Sequence, residues 1–345
     1  MMNLTDRKVV QLFKNITEVQ LGLKPGEHVL VVADTAQDPK FLEALNWAVS
    51  NAGAFCTIAI QPNVGWSPTG DFYALTEPIK KAYMGADVVI SATFSSNASC
   101  YGRPQEFREA LARHEKHRIF MLGLRTIDML LEDAATDYLQ VKKLQDKIAD
   151  ILVETDTIQI ITDDGTDFRA DLKGVNPETI RHLSQENGIC TEPGMSSGRP
   201  NGEVHVPPRP ESMEGVLVIT GDIANICRRP DQPVRITVEK GKIKKIEGGD
   251  DAKKLDQFLS TFDVDQHVVA ELAISTNRTL KGKVEGEAGK RGWGNFHVAY
   301  GGWWGYQDTI PYRVHGDMVM GWTPGSKYLV DGKPMFENGE FSFDY

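Results

Sequence analysis

The segment from His28 to Asp34 is a nearly unbroken apolar run of strand length. Such a run suits a parallel strand that is covered on both faces. A helical pattern follows over residues 39–52, and a second strand pattern covers residues 54–60. Parallel neighbours need a crossover connection, usually a helix, so these segments predict a βαβ unit and a parallel sheet.

Further patterns extend the same architecture. Residues 85–90 and 118–122 predict two more strands, and apolar spacing over residues 5–19 predicts an N-terminal helix. The turn after the first strand, DTAQD, contains no GxGxxG pattern, so no dinucleotide site is predicted. We therefore expect a Rossmann-like, doubly wound α/β domain over residues 1–150, with a structural or oligomerising role.

The pattern changes after a predicted helix at residues 138–153. Strands that alternate with period two, or run apolar, are predicted at 156–162, 167–172, 215–219, 234–239 and 242–246, and a helix at 251–262. We expect an α+β domain over residues 151–345, and the candidate metal ligands all lie within it.

Charge and hydropathy exclude several classes of function. The net charge is −10 and the pI is near 5.4, so the surface repels phosphate backbones and no nucleic-acid partner is expected. No window is apolar for long enough to span a bilayer, and the first residues lack the apolar run of a signal peptide. The cysteines are far apart and form no CxxC pair, which fits reduced thiols. We expect a cytoplasmic protein that does not bind membranes.

The pair His315-x-Asp317 is the best local signal for chemistry. In a strand, residues i and i+2 point to the same face, so the imidazole and the carboxylate converge with only Gly316 between them. This pair suits a divalent ion, and a histidine–aspartate hydrogen bond without metal explains it equally well.

Three further residues are candidate ligands, each with a plainer alternative. Glu271 lies inside an apolar strand, where a carboxylate needs a partner unless it faces solvent. His297 also has apolar neighbours, where a hydrogen-bonded core histidine is the usual explanation. Glu203 follows a Pro/Gly turn, where a solvated loop acid is the simpler interpretation; His205, two residues later, points the same way in a strand.

The order of these segments resembles the thermophilic aminopeptidases, the aminopeptidase T family. The resemblance covers roughly residues 150–320, and a weaker similarity precedes it. It is carried by these segments, in this order: GTDF from Gly165, the turn before Glu203, EKGK from Glu239, ELA from Glu271, NFHVA from Asn295, and HGD from His315.

That resemblance implies two metal ions, zinc or cobalt, held by Glu203, Glu271, His297, His315 and Asp317, with Glu271 as a bridge. It also implies a homodimer. The chain departs from the family pattern at two positions. Gly292 stands where the family has a glutamate, and Trp304 stands where it has a tyrosine. One or two ions per chain are therefore both open.

The chain also resembles a related branch, the 2,5-dihydroxypyridine 5,6-dioxygenases, in its length and its final His-x-Asp pair. These enzymes use one Fe(II). The branch has histidine at the position of Glu271 and an apolar residue at that of Glu203, so the acids of this chain are closer to the hydrolases.

Three hypotheses follow. The first is a metal-dependent hydrolase of the aminopeptidase or amidohydrolase type. It would cleave an amide or small peptide with a water activated by zinc, cobalt or manganese. If only one ion binds, Glu203 would be the base, and Tyr300, Tyr306 or Arg313 would stabilise the oxyanion. The second is a ring-cleaving dioxygenase with one Fe(II) on Glu271, His315 and Asp317, in which His297 could replace one carboxylate because the usual triad has two histidines. The third is a binding protein that has lost the chemistry. The partner would be a small molecule or a peptide.

Overall fold

The computed structural model describes residues 6–62, 76–93, 117–122, 126–184, 186–302 and 313–345. Within these residues, the helices are α1 (Arg7–Lys14), which continues as a π-helical turn (Asn15–Gln20), α2 (Pro39–Asn51), α3 (Glu77–Gly85), α4 (Ile127–Glu132), α5 (Tyr138–Val153), α6 (Pro177–Leu183), α7 (Asp250–Leu259) and α8 (Gly286–Gly289), with 3-10 turns at Pro210–Ser212 and Arg278–Leu280. The strands are β1 (His28–Asp34), β2 (Phe55–Gln61), β3 (Val88–Ser91), β4 (Arg118–Leu122), β5 (Thr157–Ile161), β6 (Asp167–Asp171), β7 (Ser196–Arg199), β8 (Glu203–Val206), β9 (Glu214–Ile219), β10 (Val234–Glu239), β11 (Lys242–Glu247), β12 (Val269–Ser275), β13 (Phe296–Gly301), β14 (His315–Met320), β15 (Lys327–Val330), β16 (Lys333–Glu337) and β17 (Glu340–Phe341).

The chain forms two compact units, one of residues 1–139 and 186–201, the other of residues 140–185 and 202–345. This division differs from the predicted boundary at residue 150 in two ways. The units separate inside α5, and the segment 186–201 returns to the first unit. The mixed α/β fold itself is as predicted.

The first unit is built on a parallel sheet with the strand order β2-β1-β3-β4-β7. Alternate residues of β1 enter two separate cores: Val29 and Val31 pack with α1, α2 and α4, and Leu30 and Val32 pack with α3. Because helices cover both faces, the strand is apolar at nearly every position, as its sequence predicts.

The sequence did not predict that residues 186–201 belong to the first unit, because strand β7 in this segment lacks an apolar pattern. It reads Ser-Ser-Gly-Arg and has no apolar side chain, yet it pairs in parallel with β4. A Cβ atom on Gly198 would lie 2.5 Å from the carbonyl oxygen of Met121, so close approach requires glycine there. Backbone pairing, which apolar patterns do not report, holds this strand.

The second unit contains two antiparallel sheets. The larger has the order β11-β10-β9-β6-β5-β15-β16-β17, and the smaller has the order β14-β13-β12-β8. One continuous hydrophobic core takes side chains from both sheets and from α5 and α7. The smaller sheet turns one face to this core, so its other face is available for polar side chains.

No helix in the described ranges is both long and apolar enough to cross a membrane.

Candidate metal centre

One face of the smaller sheet packs into the hydrophobic core. The core takes Val204, Val206, Leu272, Ile274, Phe296, Val298, Tyr300, Met318 and Met320. Because successive strand residues point to opposite faces, the residues between them share the other face. That face carries Glu203 and His205 on β8, Glu271 on β12, His297 on β13, and His315 and Asp317 on β14.

The register of the strands brings these side chains together. Glu271 and Asp317 both lie opposite Ala299, and His205 and His297 both lie opposite Ala273. His315 lies opposite Gly301. Small residues at the central positions leave room for the longer side chains to converge above the sheet.

A β-bulge lies directly before Glu271 in β12. The pairing of β12 with β13 shifts between Val269 and Glu271. Val269 and Leu272 both enter the core although they are three residues apart, so the bulge changes the alternation between them. Glu271 directly precedes the core residue Leu272 and therefore points away from the core, on the side of His315.

Glu271, His315 and Asp317 each place one ligand atom within 4.8 Å of the others. Nε2 of His315 lies 3.5 Å from Oε1 of Glu271 and 3.5 Å from Oδ1 of Asp317. These separations exceed ordinary hydrogen-bond lengths. Oδ1 of Asp317 is buried and makes no hydrogen bond within the described residues. Two carboxylate oxygens and one imidazole nitrogen therefore face a common point.

The orientation of His315 fits metal binding. Its Nδ1 lies 3.0 Å from the carbonyl oxygen of Gly302 and must donate to it, because a carbonyl only accepts. This contact leaves Nε2 to face the carboxylates, the arrangement that metal-binding histidines usually have. Burial alone would lower the pKa of His315, but Glu271 and Asp317 raise it well above its ordinary value. The cluster therefore stabilises positive charge at Nε2, and its donor set fits a divalent cation.

Glu203 and His297 lie directly beside these three residues. Nε2 of His297 is 3.5 Å from Oε2 of Glu203 and 3.9 Å from Oε1 of Glu271. Burial lowers the pKa of His297, although Glu203, Asp317 and Glu271 oppose that shift. Burial therefore favours the neutral form of His297, which lies next to a carboxylate, and all five residues that the sequence predicts as ligands meet on one face.

Two basic residues of this site were missed by the sequence reasoning. Nζ of Lys290 lies 2.6 Å from Oδ2 of Asp317, and Nη2 of Arg291 lies 3.0 Å from Oε1 of Glu203. Glu287 contacts both cations. Burial alone would lower the pKa of Lys290, but Asp317 and Glu287 raise it well above its ordinary value. The signal that was available is the consecutive basic pair a few residues before His297.

An acid near this cluster also has a shifted pKa. Burial, the largest cause, raises the pKa of Asp222 to about 6, and a hydrogen bond from the backbone N–H of Gly286 opposes the shift. Asp222 follows β9 and lies on the same side as Glu287 and Lys290, whose charges also act on it.

The residues proposed to stabilise an oxyanion are placed differently. Tyr300 lies on the core face of β13, where its hydroxyl donates to the carbonyl of Ala224 and accepts from the side chain of Asn225. Arg313 is half-exposed and pairs with Asp263. The structure therefore does not bring Tyr300 to the cluster, because it lies an odd number of residues from His297. Tyr306 lies outside the described residues.

Trp293 belongs to the core of the second unit. It is fully buried, donates to the carbonyl of Gly339 and packs on Phe336 and Phe341. Trp303 and Trp304 lie outside the described residues.

Comparison with protein families identifies the evolutionary relationship. The family model NicX, 2,5-dihydroxypyridine 5,6-dioxygenase, matches residues 8–273, most of the chain. The chain belongs to this family. The matched range includes Glu203 and Glu271 and ends before His297. The predicted resemblance to the superfamily is thereby confirmed.

Solved structures with the same fold include members of both branches. The 2,5-dihydroxypyridine dioxygenase from Pseudomonas putida KT2440 has a TM-score of 0.76 at 18% identity, over 99% of this chain and 98% of that chain. AmpT from Thermus thermophilus has a TM-score of 0.66 at 16% identity, over 98% of this chain and 99% of that chain. A search of curated proteins gave no match. At such identities the likeness shows the fold alone, so the chemistry has to be argued from the site.

Proposed function

We propose that this chain is a dioxygenase that holds one divalent metal ion, Fe(II), and opens a hydroxylated pyridine or related aromatic ring. The observation that carries the proposal is the compact cluster of Glu271, His315 and Asp317, which offers three ligand atoms within 4.8 Å of one another. Three protein ligands on one side leave positions for substrate and O2, as in non-haem iron oxygenases. Membership of the NicX family supports the same reaction class.

The residues of this chain would divide the work as follows. Glu271, His315 and Asp317 would hold the ion. The carbonyl oxygen of Gly302 would orient the imidazole of His315 by accepting a hydrogen bond from its Nδ1. When bound, Fe(II) supplies the one-electron chemistry that lets O2 react with a closed-shell ring. Both oxygen atoms enter the ring-opened product, so the substrate provides the electrons and no external reductant is needed.

His297 and Glu203 would together accept the proton that a hydroxyl group of the substrate ring loses. A neutral imidazole beside the ligand cluster is suited to take the proton of a ring hydroxyl, and the adjacent carboxylate, 3.5 Å away, stabilises the imidazolium that forms. Deprotonation makes the ring more electron-rich before it reacts with O2.

Oxygen uptake tests this function. Protein stripped of metal is loaded anaerobically with Fe(II), Zn(II), Co(II) or Mn(II), and each sample is mixed with 2,5-dihydroxypyridine in an oxygen electrode. We expect uptake with Fe(II) that is lost in His315→Ala and retained in His267→Ala, because His267 pairs with Asp265 and Asp256 away from the ligand set. Absence of uptake with a panel of hydroxylated pyridines and catechols would remove the proposal.

A second candidate function is the metal-dependent hydrolase predicted first from the sequence. The observation that favours it is the presence of Glu203 and His297 on the same face as the three-residue cluster, which supplies the acids and histidines of the aminopeptidase branch except the glutamate that Gly292 replaces. A carboxylate beside a metal-activated water acts as general base in such enzymes, and Glu203 would take that role.

The same metal-loaded samples separate the two functions. Hydrolysis of aminoacyl-p-nitroanilides or dipeptides by the Zn(II), Co(II) or Mn(II) protein, without oxygen, would favour the hydrolase. Apo protein that binds none of these metals would favour a non-enzymatic binding protein. The homodimer, the cytoplasmic location and the small-molecule or peptide substrate stay predictions, and light scattering tests the dimer directly.

A further inference from the structure

We infer that Lys290 and Arg291 act as built-in counter-charges that limit this centre to one divalent ion per chain. The inference rests on the proposed one-metal function and deepens it, because it assigns the metal number to two side chains that are not ligands. It is carried by the contacts of the two cations with the candidate ligands Asp317 and Glu203.

Each of these two carboxylates divides its oxygens between a cation and an imidazole. Asp317 gives Oδ2 to Lys290 at 2.6 Å and turns Oδ1 to His315 at 3.5 Å. Glu203 gives Oε1 to Arg291 at 3.0 Å and turns Oε2 to His297 at 3.5 Å. One carboxylate oxygen of each acid is thus already paired with a positively charged side chain.

Both cations are held in place by more than these contacts. Oε2 of Glu287 lies 2.5 Å from Nη1 of Arg291 and 3.6 Å from Nζ of Lys290. The carbonyl of Lys290 accepts a hydrogen bond from Oγ of Ser275, and the carbonyl of Arg291 accepts one from the backbone N–H of Asn277. Their side chains are nearly buried, so the charges cannot move into solvent.

Lys290 and Arg291 have different effects on a first ion, held by Glu271, His315 and Asp317, and on a second ion beside Glu203. At the Glu271, His315 and Asp317 position, a cation takes Oδ1 of Asp317 while Lys290 keeps Oδ2. A second ion on this face would use the remaining oxygen of Glu203, Oε2, together with a neighbouring imidazole such as that of His297. It would then share one carboxylate with a guanidinium, which does not lose its proton in proteins. Repulsion between charges that close in a buried site is strong.

The net charge of the contacting side chains also favours one ion per chain. The carboxylates of Glu203, Glu271, Glu287 and Asp317 face the cations Lys290 and Arg291, which leaves two negative charges in this contact set when both histidines are neutral. One divalent ion neutralises them, and a second would leave the buried set with excess positive charge. Burial of uncompensated charge is unfavourable whatever its sign.

Metal stoichiometry tests the inference without any measurement of activity. Metal-free protein is titrated with Zn(II), which is redox-inert, by isothermal calorimetry, and the washed product is analysed for metal and protein content. We expect one ion per chain for the wild type and for Arg291→Lys, and two per chain for Arg291→Gln. Arg181→Gln is the matched control, since Arg181 forms an exposed ion pair with Asp150, and should keep one ion.

Several outcomes would overturn the inference. Two ions in the wild type would do so, and so would one ion in a folded Arg291→Gln protein. If that variant does not fold, the double variant Arg291→Gln/Glu287→Gln removes both partners of the ion pair and must bind two ions. A ratio of one in the wild type without any oxygen uptake would reject the dioxygenase proposal and leave this inference standing.

Discussion

Replacing His315 by alanine should abolish the stabilisation of the protein by metal. In the proposed site the imidazole would supply one of three ligand atoms, and its Nε2 lies 3.5 Å from Oε1 of Glu271 and from Oδ1 of Asp317. Alanine leaves two acids with no neutral donor between them. Even the loss of a residue that only orients a ligand costs 10–100-fold in metal affinity, so loss of the ligand itself should cost at least about 100-fold.

This loss converts to a measurable change in melting temperature. With free metal at 100 times the wild-type Kd, binding stabilises the folded state by about 2.7 kcal/mol. The second unit has roughly 190 residues, and for that size each kcal/mol shifts Tm by about 2–4 °C. We therefore expect a shift of roughly 5–11 °C in the wild type, whereas a 100-fold weaker variant gains only about 0.4 kcal/mol, or roughly 1–2 °C.

Differential scanning calorimetry of the metal-free proteins, with and without Zn(II), measures both shifts. His267→Ala serves as the control, because its imidazole contacts Asp256 and Asp265 in the same unit and should leave the metal response at the wild-type size. A His315→Ala protein that keeps the full wild-type shift would refute the proposed ligand set.

Three further predictions concern the protein around the ligand set. Arg199→Met should cost about 3–5 kcal/mol of unfolding free energy, because it leaves the fully buried Asp133 carboxylate without its cation. Gly316→Ala should lower both stability and metal affinity, since its Cβ would lie 2.2 Å from the ring of Tyr300 and strand β14 would have to shift. Asp222→Asn should stabilise the metal-free protein at pH 7.5 by up to about 3 kcal/mol, because the raised pKa of about 6 means that the fold disfavours the charged carboxylate. For this acid, stability is gained as pH falls through 6 towards the unfolded pKa, so the advantage of asparagine should shrink to near zero at pH 4.

Denaturant unfolding checks these three variants. Arg181→Met, which breaks an exposed pair, should cost no more than about 1 kcal/mol. Gly85→Ala has open space around the added methyl and should not destabilise. A difference between Asp222→Asn and wild type that is equal at pH 7.5 and pH 4 would contradict the buried-carboxylate explanation.

The main elements of the fold follow from local patterns. The apolar run of β1 predicts a covered parallel strand, and alternation in β5, β6, β10 and β11 predicts antiparallel hairpins, all of which are present. The polar strand β7 was missed because its place in the sheet depends on backbone pairing with β4 and on the close approach that Gly198 permits. The hydrophobicity of side chains reports neither the backbone pairing of β7 nor the close approach of β4 at Gly198.

The site shows how far strand periodicity leads. It places His315 and Asp317 on one face from their spacing alone, and it also separates Tyr300 from His297, because three residues along a strand reverse the face. It leaves the direction of Glu271 open, because the residues on both sides are apolar and the bulge after Val269 interrupts the alternation before it. Nor does it find Lys290, whose partner Asp317 lies far away in sequence and becomes a neighbour only through the sheet register.

Lys290, which the sequence patterns did not identify, changes the net charge of the proposed ligand set of Glu271, His315 and Asp317. An Fe(II) centre of the usual kind has two histidines and one carboxylate, so its protein ligands carry one negative charge. Glu271, His315 and Asp317 carry two, which on ligand type alone favours a hydrolytic metal. Lys290 is paired with Asp317 at 2.6 Å, and the cluster together with this lysine carries one negative charge, as the usual iron set does. The acid-rich ligands and the membership of the NicX family are therefore compatible, because the charge that distinguishes an iron site is set by the ligands together with the cation that contacts them.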